Sequence, residues 1–273
     1  MKALPFLALA GLTAAVLATF AAPAHAQDQD YDRFTLRLGA MDADGSGKLK
    51  GSGDIAGNPV DFDEDFDFGS NEISPRIDGV WRITPRNRVI FDYFRFDKNN
   101  TQTLGQDISY QDTTVPEGSF AKLDTRFQLA SLIYDFSVVD SEQFSWGLQL
   151  GAEWAKLDGK VRADAGPDVG SFYGSAKEDG VAPVVGTRLS FTPGDRWLIN
   201  LQGQYLDASW GSFDYDGKIK RANAIVEYRV TQNFGVFAGY DWFKINYNES
   251  GRDASGGIDL EFKGPMAGVT FAF

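Results

Sequence analysis

Apolar and polar residues alternate with a period of two along most of this chain. The clearest run places Phe144, Trp146, Leu148, Leu150, Ala152 and Trp154 on one face and Ser145, Gly147, Gln149, Gly151 and Glu153 on the other. Only an extended strand sends successive side chains to opposite faces, so this spacing predicts a strand with one apolar side. The same rhythm sets Trp197, Ile199, Leu201 and Tyr205 against Asn200, Gln202 and Gln204, and Phe34, Leu36 and Leu38 against Thr35, Arg37 and Gly39. It also places Ala267, Val269, Phe271 and Phe273 opposite Gly268, Thr270 and Ala272.

Two kinds of connection separate the apolar runs. Ile83-Thr84-Pro85-Arg86-Asn87, Phe191-Thr192-Pro193-Gly194-Asp195 and Val230-Thr231-Gln232-Asn233 read as tight turns, because Pro presets φ and Asn, Asp and Gly accept unusual dihedrals. A looser turn falls between Phe136 and Phe144. Polar connections rich in Gly, Asp, Ser and Asn occupy residues 44–70, 98–120, 158–178, 208–217 and 247–257. Four turns and five long connections join ten strands, with eight or twelve as the neighbouring solutions. Two strands are irregular. Ile90, Phe94 and Phe96 share a face with Asp92, which requires either apolar residues on an otherwise polar side or a bulge. Pro75 lacks an N–H and is expected near the outer end of its strand.

The last strand, alternating and ending on Phe273, together with short turns on one side and long connections on the other, resembles the bacterial outer-membrane β-barrel proteins. The resemblance covers residues 27–273 as a pattern and implies an all-β, closed, antiparallel up-and-down transmembrane barrel of about ten strands. It implies an apolar face turned to lipid, the outer membrane as location, lipid and lipopolysaccharide as neighbours, and a monomer. No motif identifies a subfamily.

The N-terminal residues agree with that compartment. Lys2, the apolar run from Leu4 to Phe20 and the small-x-small site Ala24-His25-Ala26 predict a secretory signal peptide over residues 1–26. A mean hydropathy of -0.27 does not argue against a membrane, because lipid-facing and inward-facing residues average out in a barrel. Cys is absent, which excludes disulfides and lipid attachment through a thiol. The formal net charge is -12, which disfavours nucleic acid as a partner.

Composition also restricts chemistry. The single His is His25, inside the predicted leader, so the mature chain has neither imidazole nor thiol to act as base or nucleophile. The outer-membrane proteases, phospholipases and lipid A deacylases rely on a catalytic His, and a non-enzymatic barrel is therefore expected. The expected role is a narrow porin-like channel or an envelope-stabilising barrel, with a surface adhesin of closed lumen as the alternative.

Candidate site residues follow from the polar faces. Arg76, Asp78, Arg82, Asp92, Lys122, Asp124, Arg126, Glu153, Arg188, Arg221, Glu227 and Arg229 fall on the polar side of their strands and are expected to line the lumen. Both signs occur, so charge pairs across a narrow interior are expected rather than a field of one sign. A second candidate is acidic. Asp42-Ala43-Asp44-Gly45-Ser46-Gly47 matches the first half of a calcium loop, but Gly53 stands where the bidentate carboxylate belongs. Asp61, Asp63 and Asp65 share one face of an extended segment with Asp67. A solvated acidic face explains them; the sharper reading has them share Ca2+ or Mg2+ with lipopolysaccharide phosphates. No resident cofactor is expected.

Overall fold

The computed structural model describes residues 32–55, 58–67, 71–103, 108–110, 113–115, 120–164, 171–207, 216–250 and 254–273. The predicted leader lies outside them. Among the described residues thirteen strands follow one another: β1 (Phe34–Ile55), β2 (Asn58–Asp67), β3 (Glu72–Arg82), β4 (Asn87–Thr103), β5 (Ile108–Tyr110), β6 (Thr113–Val115), β7 (Phe120–Asp140), β8 (Phe144–Asp164), β9 (Ser171–Gly194), β10 (Trp197–Asp207), β11 (Asp216–Arg229), β12 (Phe234–Ser250) and β13 (Ala254–Ala272). Ten of them, β1, β3, β4 and β7 to β13, form an antiparallel wall in chain order, and β13 closes it by pairing with β1 from Thr35↔Ala272 to Gly53↔Ala254. Strand β2 pairs only with the outer half of β1, and β5 with β6 makes a separate short hairpin.

Closure removes every free edge from the membrane, where an unpaired backbone N–H or C=O would cost several kcal/mol. The outer wall carries what lipid requires. Leu36, Leu38, Ile77, Leu132, Leu148, Leu150, Val185, Leu201 and Val226 point outward. Trp81, Trp146, Trp197, Tyr228 and Phe273 lie toward the short-turn end of this band, and Tyr93, Trp154, Tyr205, Tyr240 and Trp242 toward the other. Aromatic residues favour the two membrane interfaces, so these rings mark the limits of the hydrocarbon.

The tight turns fall where the Thr-Pro and Thr-Gln runs predict them, between β3 and β4, β9 and β10, and β11 and β12. The looser one, between β7 and β8, contains a bulge between Ser137 and Val139 that turns both Val138 and Val139 outward. Pro75 pairs with Ala40 on one side, while the ladder to β4 begins one residue later at Arg76, so its missing N–H interrupts nothing.

The long polar connections are the main correction. Most of residues 44–70, 98–120, 158–178 and 247–257 continue as paired strand: β1 runs to Ile55, β8 to Asp164 and β12 to Ser250. Beyond the outer aromatic ring the outward face carries polar residues such as Asp42, Asp44, Arg95 and Asp97, so the apolar outward face disappears while the backbone ladder persists. Outward of Phe94, β4 pairs with β7 alone, and outward of Val184, β9 pairs with β8 alone. The wall therefore divides above the membrane into two sheets, β11-β12-β13-β1-β2 and β4-β7-β8-β9.

Candidate functional site

The interior is built from the inward positions of all ten strands and has three levels. Nearest the short turns, Arg37 on β1 donates from Nε to Glu227 Oε2 on β11 at 2.8 Å and from Nη1 to Asp78 Oδ1 on β3 at 2.9 Å. Arg229 adds a second cation to Glu227 and reaches Asp32. On the opposite side, Arg188 on β9 holds Asp135 on β7 with two hydrogen bonds, Nη2 to Oδ1 at 2.8 Å and Nε to Oδ2 at 3.0 Å. The strand between them contributes Gly147 because there is no room for more: a Cβ there would lie 2.7 Å from Asp135 Oδ1 and 2.9 Å from Arg188 Nη2.

The middle level is a four-charge cluster. Arg221 on β11 donates to both oxygens of Asp92 on β4, at 2.7 and 3.1 Å, and to Asp241 Oδ2 on β12 at 3.1 Å. Arg76 on β3 donates to Asp92 Oδ2 at 2.9 Å and is also paired with Asp241. Two guanidiniums and two carboxylates thus balance one another's charge in the interior, which offsets part of their desolvation, while Arg76 Nε is left without a hydrogen-bond partner. Glu153 on β8 accepts from Ser131 at 2.7 Å nearby.

The outer level is apolar. Phe94 stacks on Phe243 with centroids 5.0 Å apart, Phe127 on Phe262 at 5.5 Å, and Phe96 tilts against Phe262 at 4.8 Å. Met41, Leu206 and Leu260 complete a buried layer. Ile90, Phe94 and Phe96 therefore do point inward with Asp92, and the ladders of β4 carry no bulge. Arg221 joins the two levels, with its Cζ 4.6 Å from the Phe243 ring centroid. A cavity of about 20 Å3 remains beside the middle cluster, between Asp92, Arg221, Gln202 and Gln204, room for about one water molecule.

Most expected lumen residues meet here: Arg76, Asp78, Asp92, Glu153, Arg188, Arg221 and Glu227 are buried inside the barrel, and Arg82 stands half-buried at the short-turn rim. Lys122, Asp124 and Arg126 do not. Thr125, Phe127 and Leu129 are the buried positions of β7, which turns the neighbouring even positions outward. Arg126 Nη2 pairs with Asp97 Oδ2 at 2.9 Å on the outer wall above the aromatic ring. The polarity of that segment's outward face reflects water beyond the apolar band, while its inward face packs Thr125 and Phe127 into the interior. Asp135, Arg37 and Asp241 were not among the expected site residues, although each is a charge flanked by outward apolar residues, as in Tyr134-Asp135-Phe136 and Tyr240-Asp241-Trp242.

The acidic candidates are also held in strand. Asp42 and Asp44 sit on the outward face of β1, where a straight strand keeps alternate side chains side by side instead of wrapping them round one point. Asp63 lies opposite Lys50 in register and Asp65 opposite Lys48, with Asp61 opposite Ser52. Among the described residues no group of three or more carboxylates is arranged to hold a metal ion.

No protein-family model matches the chain, and no curated protein matches it in sequence. Solved structures do. The outer membrane protease OmpT of Escherichia coli superposes with a TM-score of 0.58 at 15% identity, covering 91% of this chain and 99% of that one. The translocator domain of the autotransporter NalP of Neisseria meningitidis gives 0.45 at 10% identity, covering 98% and 97%. The outer membrane protein OprG of Pseudomonas aeruginosa gives 0.37 at 10% identity, covering 91% and 99%. The OmpT likeness, at this identity, concerns the fold: with the closed wall and its apolar outer band, the chain has the architecture of an outer-membrane β-barrel.

Proposed function

We propose that this barrel is a non-enzymatic, non-conducting element of the outer membrane that stabilises the envelope and raises two sheets of extended strand above it. The observation that carries the reading is the grip of Arg221 on Asp92, which joins β11 to β4 through the middle of the barrel. Ions would have to break that cluster and then pass the phenylalanine layer. A porin-like role needs a continuous aqueous path, and the central cavity of about 20 Å3 is far short of one. A catalytic role lacks its usual groups, since the one His is His25 and Cys is absent.

The test is electrical. Purified protein inserted into planar bilayers at neutral pH should give no resolved current steps, whereas regular steps from the unaltered protein would overturn the reading. A surface-binding role is compatible with a sealed lumen and is favoured by the two raised sheets. It predicts that shortening the β1–β2 hairpin beyond Ser46 abolishes attachment to a host or cell-surface ligand while leaving the barrel folded.

A further inference from the structure

Above the membrane the wall has free edges. The ladder of β4 to β3 stops at Phe94 and that of β9 to β10 stops at Val184, so β4 from Arg95 to Thr103 and β9 from Ser171 to Pro183 each pair on one side only among the described residues. These are the two margins of a single four-stranded sheet, β4-β7-β8-β9. A third edge, on β2, carries Pro59 and the acids Asp61, Asp63, Glu64, Asp65 and Asp67, and charge and proline are what blunt natural edges against pairing. The margins of the four-stranded sheet lack that protection at their outer ends. Asn99 to Thr103 on β4 and Ser171 to Ala176 on β9 contain neither charge nor proline.

Direction and register make each margin the complement of the other. Strand β4 runs away from the membrane and β9 toward it, so in two copies that share a membrane β9 of one meets β4 of the next antiparallel; β9 against β9, or β4 against β4, would meet parallel. Their outer ends are level within the sheet, since Thr103, Phe120, Asp164 and Ser171 lie on one rung. On the outward face another rung runs Asp97, Arg126, Asp158, Lys177, with signs alternating from edge to edge. Setting β9 against β4 of the next copy with their outer ends aligned brings Lys177 opposite Asp97, and the alternation continues without a break. The same register brings Asp179 opposite Arg95. Lys177 and Asp179 are exposed on the outward face, and opposite charges in facing positions stabilise a strand pair.

We propose that this protein associates with itself above the membrane, the outer edge of β9 in one copy pairing antiparallel with that of β4 in the next and extending the raised sheet across copies. The junction is head-to-tail, so each copy keeps one edge of either kind for a further neighbour, and the products are rings or rows instead of closed twofold dimers. Pairing from Arg95 to Thr103 covers about 30 Å of edge at the usual rise of a strand. It begins where the wall divides, so the ten-stranded closure within the membrane is untouched. The resemblance read from the sequence implies a monomer; the edges supply a contact that a monomer leaves unused. The inference rests on the raised sheets of the proposed function and not on its sealed lumen.

The chain has no cysteine, so one introduced thiol is a clean reporter. In the aligned register Asn99 faces Ser175 of the next copy. Full-length Asn99→Cys and Ser175→Cys chains, with different epitope tags, are produced together in one bacterial outer membrane and oxidised. A disulfide-linked dimer carrying both tags should form, and neither variant produced alone should give a linked dimer. Adding K177Q/D179N to the Ser175→Cys chain should lower the yield of linked dimer roughly threefold or more. Retention of the folded, heat-modifiable form on unheated gels checks each barrel, and D179N alone replaces the double change should that fail to fold. Absence of the mixed dimer, linking of Ser175→Cys chains to one another as readily as to Asn99→Cys, or a yield indifferent to K177Q/D179N would each overturn the proposal. A link from either thiol to a different protein, in place of the mixed dimer, would assign the edge to another partner and overturn it as well. Conductance in planar bilayers is read separately, so failure here leaves the sealed-lumen reading to its own test.

Discussion

Arg221 holds both carboxylate oxygens of Asp92 across 129 residues of chain, at 2.7 and 3.1 Å, and so joins two strands on different sides of the barrel. A bidentate guanidinium–carboxylate pair is directional as well as strong. It fixes how far apart β4 and β11 stand, a dimension that the wall ladders leave free. The same guanidinium lies on the Phe243 ring, so the ionic and apolar levels of the interior are one connected unit.

Removing one partner from such a cluster leaves a buried charge without full compensation. Arg221→Ala should therefore destabilise the folded barrel by about 3–5 kcal/mol. Arg221→Met with Asp92→Leu should recover most of that loss, because Arg76 and Asp241 remain as a pair and the new side chains fill the space. Urea unfolding from lipid vesicles, followed by tryptophan emission, measures both; a double variant no more stable than the single would show that charge compensation is not what the pair supplies.

The barrel was legible in the sequence because lipid imposes a strict period of two on nine or ten residues of every strand. Strand β8 and the last strand, with Val269 and Phe271 outward and Thr270 inward, follow it without exception. The closure of β13 onto β1 and the count of ten also follow from turns and alternation. Legibility failed where lipid ends. In β7 the residues beyond Gln128 lose the apolar outer face, so Lys122, Asp124 and Arg126 looked like lumen residues when the buried partners were Thr125 and Phe127. In β1 the run from Asp42 to Gly47 has loop composition but strand geometry, because pairing with β13 supplies the order that the side chains do not advertise. Which charges meet across the lumen, such as Arg188 with Asp135, depends on barrel circumference and not on local spacing.

Gly79 is required by its neighbour and not by its own backbone. A Cβ at this position would meet the Phe91 ring at 2.1 Å from Cζ and 2.3 Å from Cε1, since Phe91 stands directly opposite on β4 and its ring covers Gly79. Gly79→Ala should cost about 1–3 kcal/mol by displacing that ring. In a Phe91→Ala background the same change should cost almost nothing, and the double-mutant cycle should give a clear coupling energy. Additive effects would mean that the ring does not occupy this position in the membrane.

Outside the hydrocarbon, Asp97 offers a pH test. Partial burial pushes its carboxyl up, but hydrogen bonds from Arg95 and Arg126 outweigh that and hold it below the usual carboxylate range. A depressed folded-state value contributes stability above the unfolded value, and that contribution is lost as pH falls through the folded value. The group is largely exposed, so solvent screening limits the gain to about 1 kcal/mol or less. The stability difference between unaltered protein and Asp97→Asn should be present at pH 7, fade below about pH 4 and vanish in strong acid. Chemical denaturation of both proteins across that range reads it directly, and a difference that persists at the acid end would remove the ion pair as its source.

Three levels in series make a specific electrical prediction. Arg76→Ala with Arg221→Ala clears the ionic level but leaves Phe94, Phe127, Phe243 and Phe262 packed above it, and an apolar constriction excludes water without needing any charge. Phe94→Ala with Phe127→Ala opens that layer but leaves Asp92 and Asp241 bound to their arginines below. Neither pair of substitutions should yield current steps alone, whereas all four together with Arg37→Ala and Arg188→Ala, which clear the level nearest the short turns, should, with selectivity for cations because the freed carboxylates of Asp92 and Asp241 then line the path. Reversal potentials in asymmetric KCl give the sign. Conductance from the phenylalanine variant alone would mean that the charge cluster is permeable, and that the apolar layer is the only barrier the barrel has.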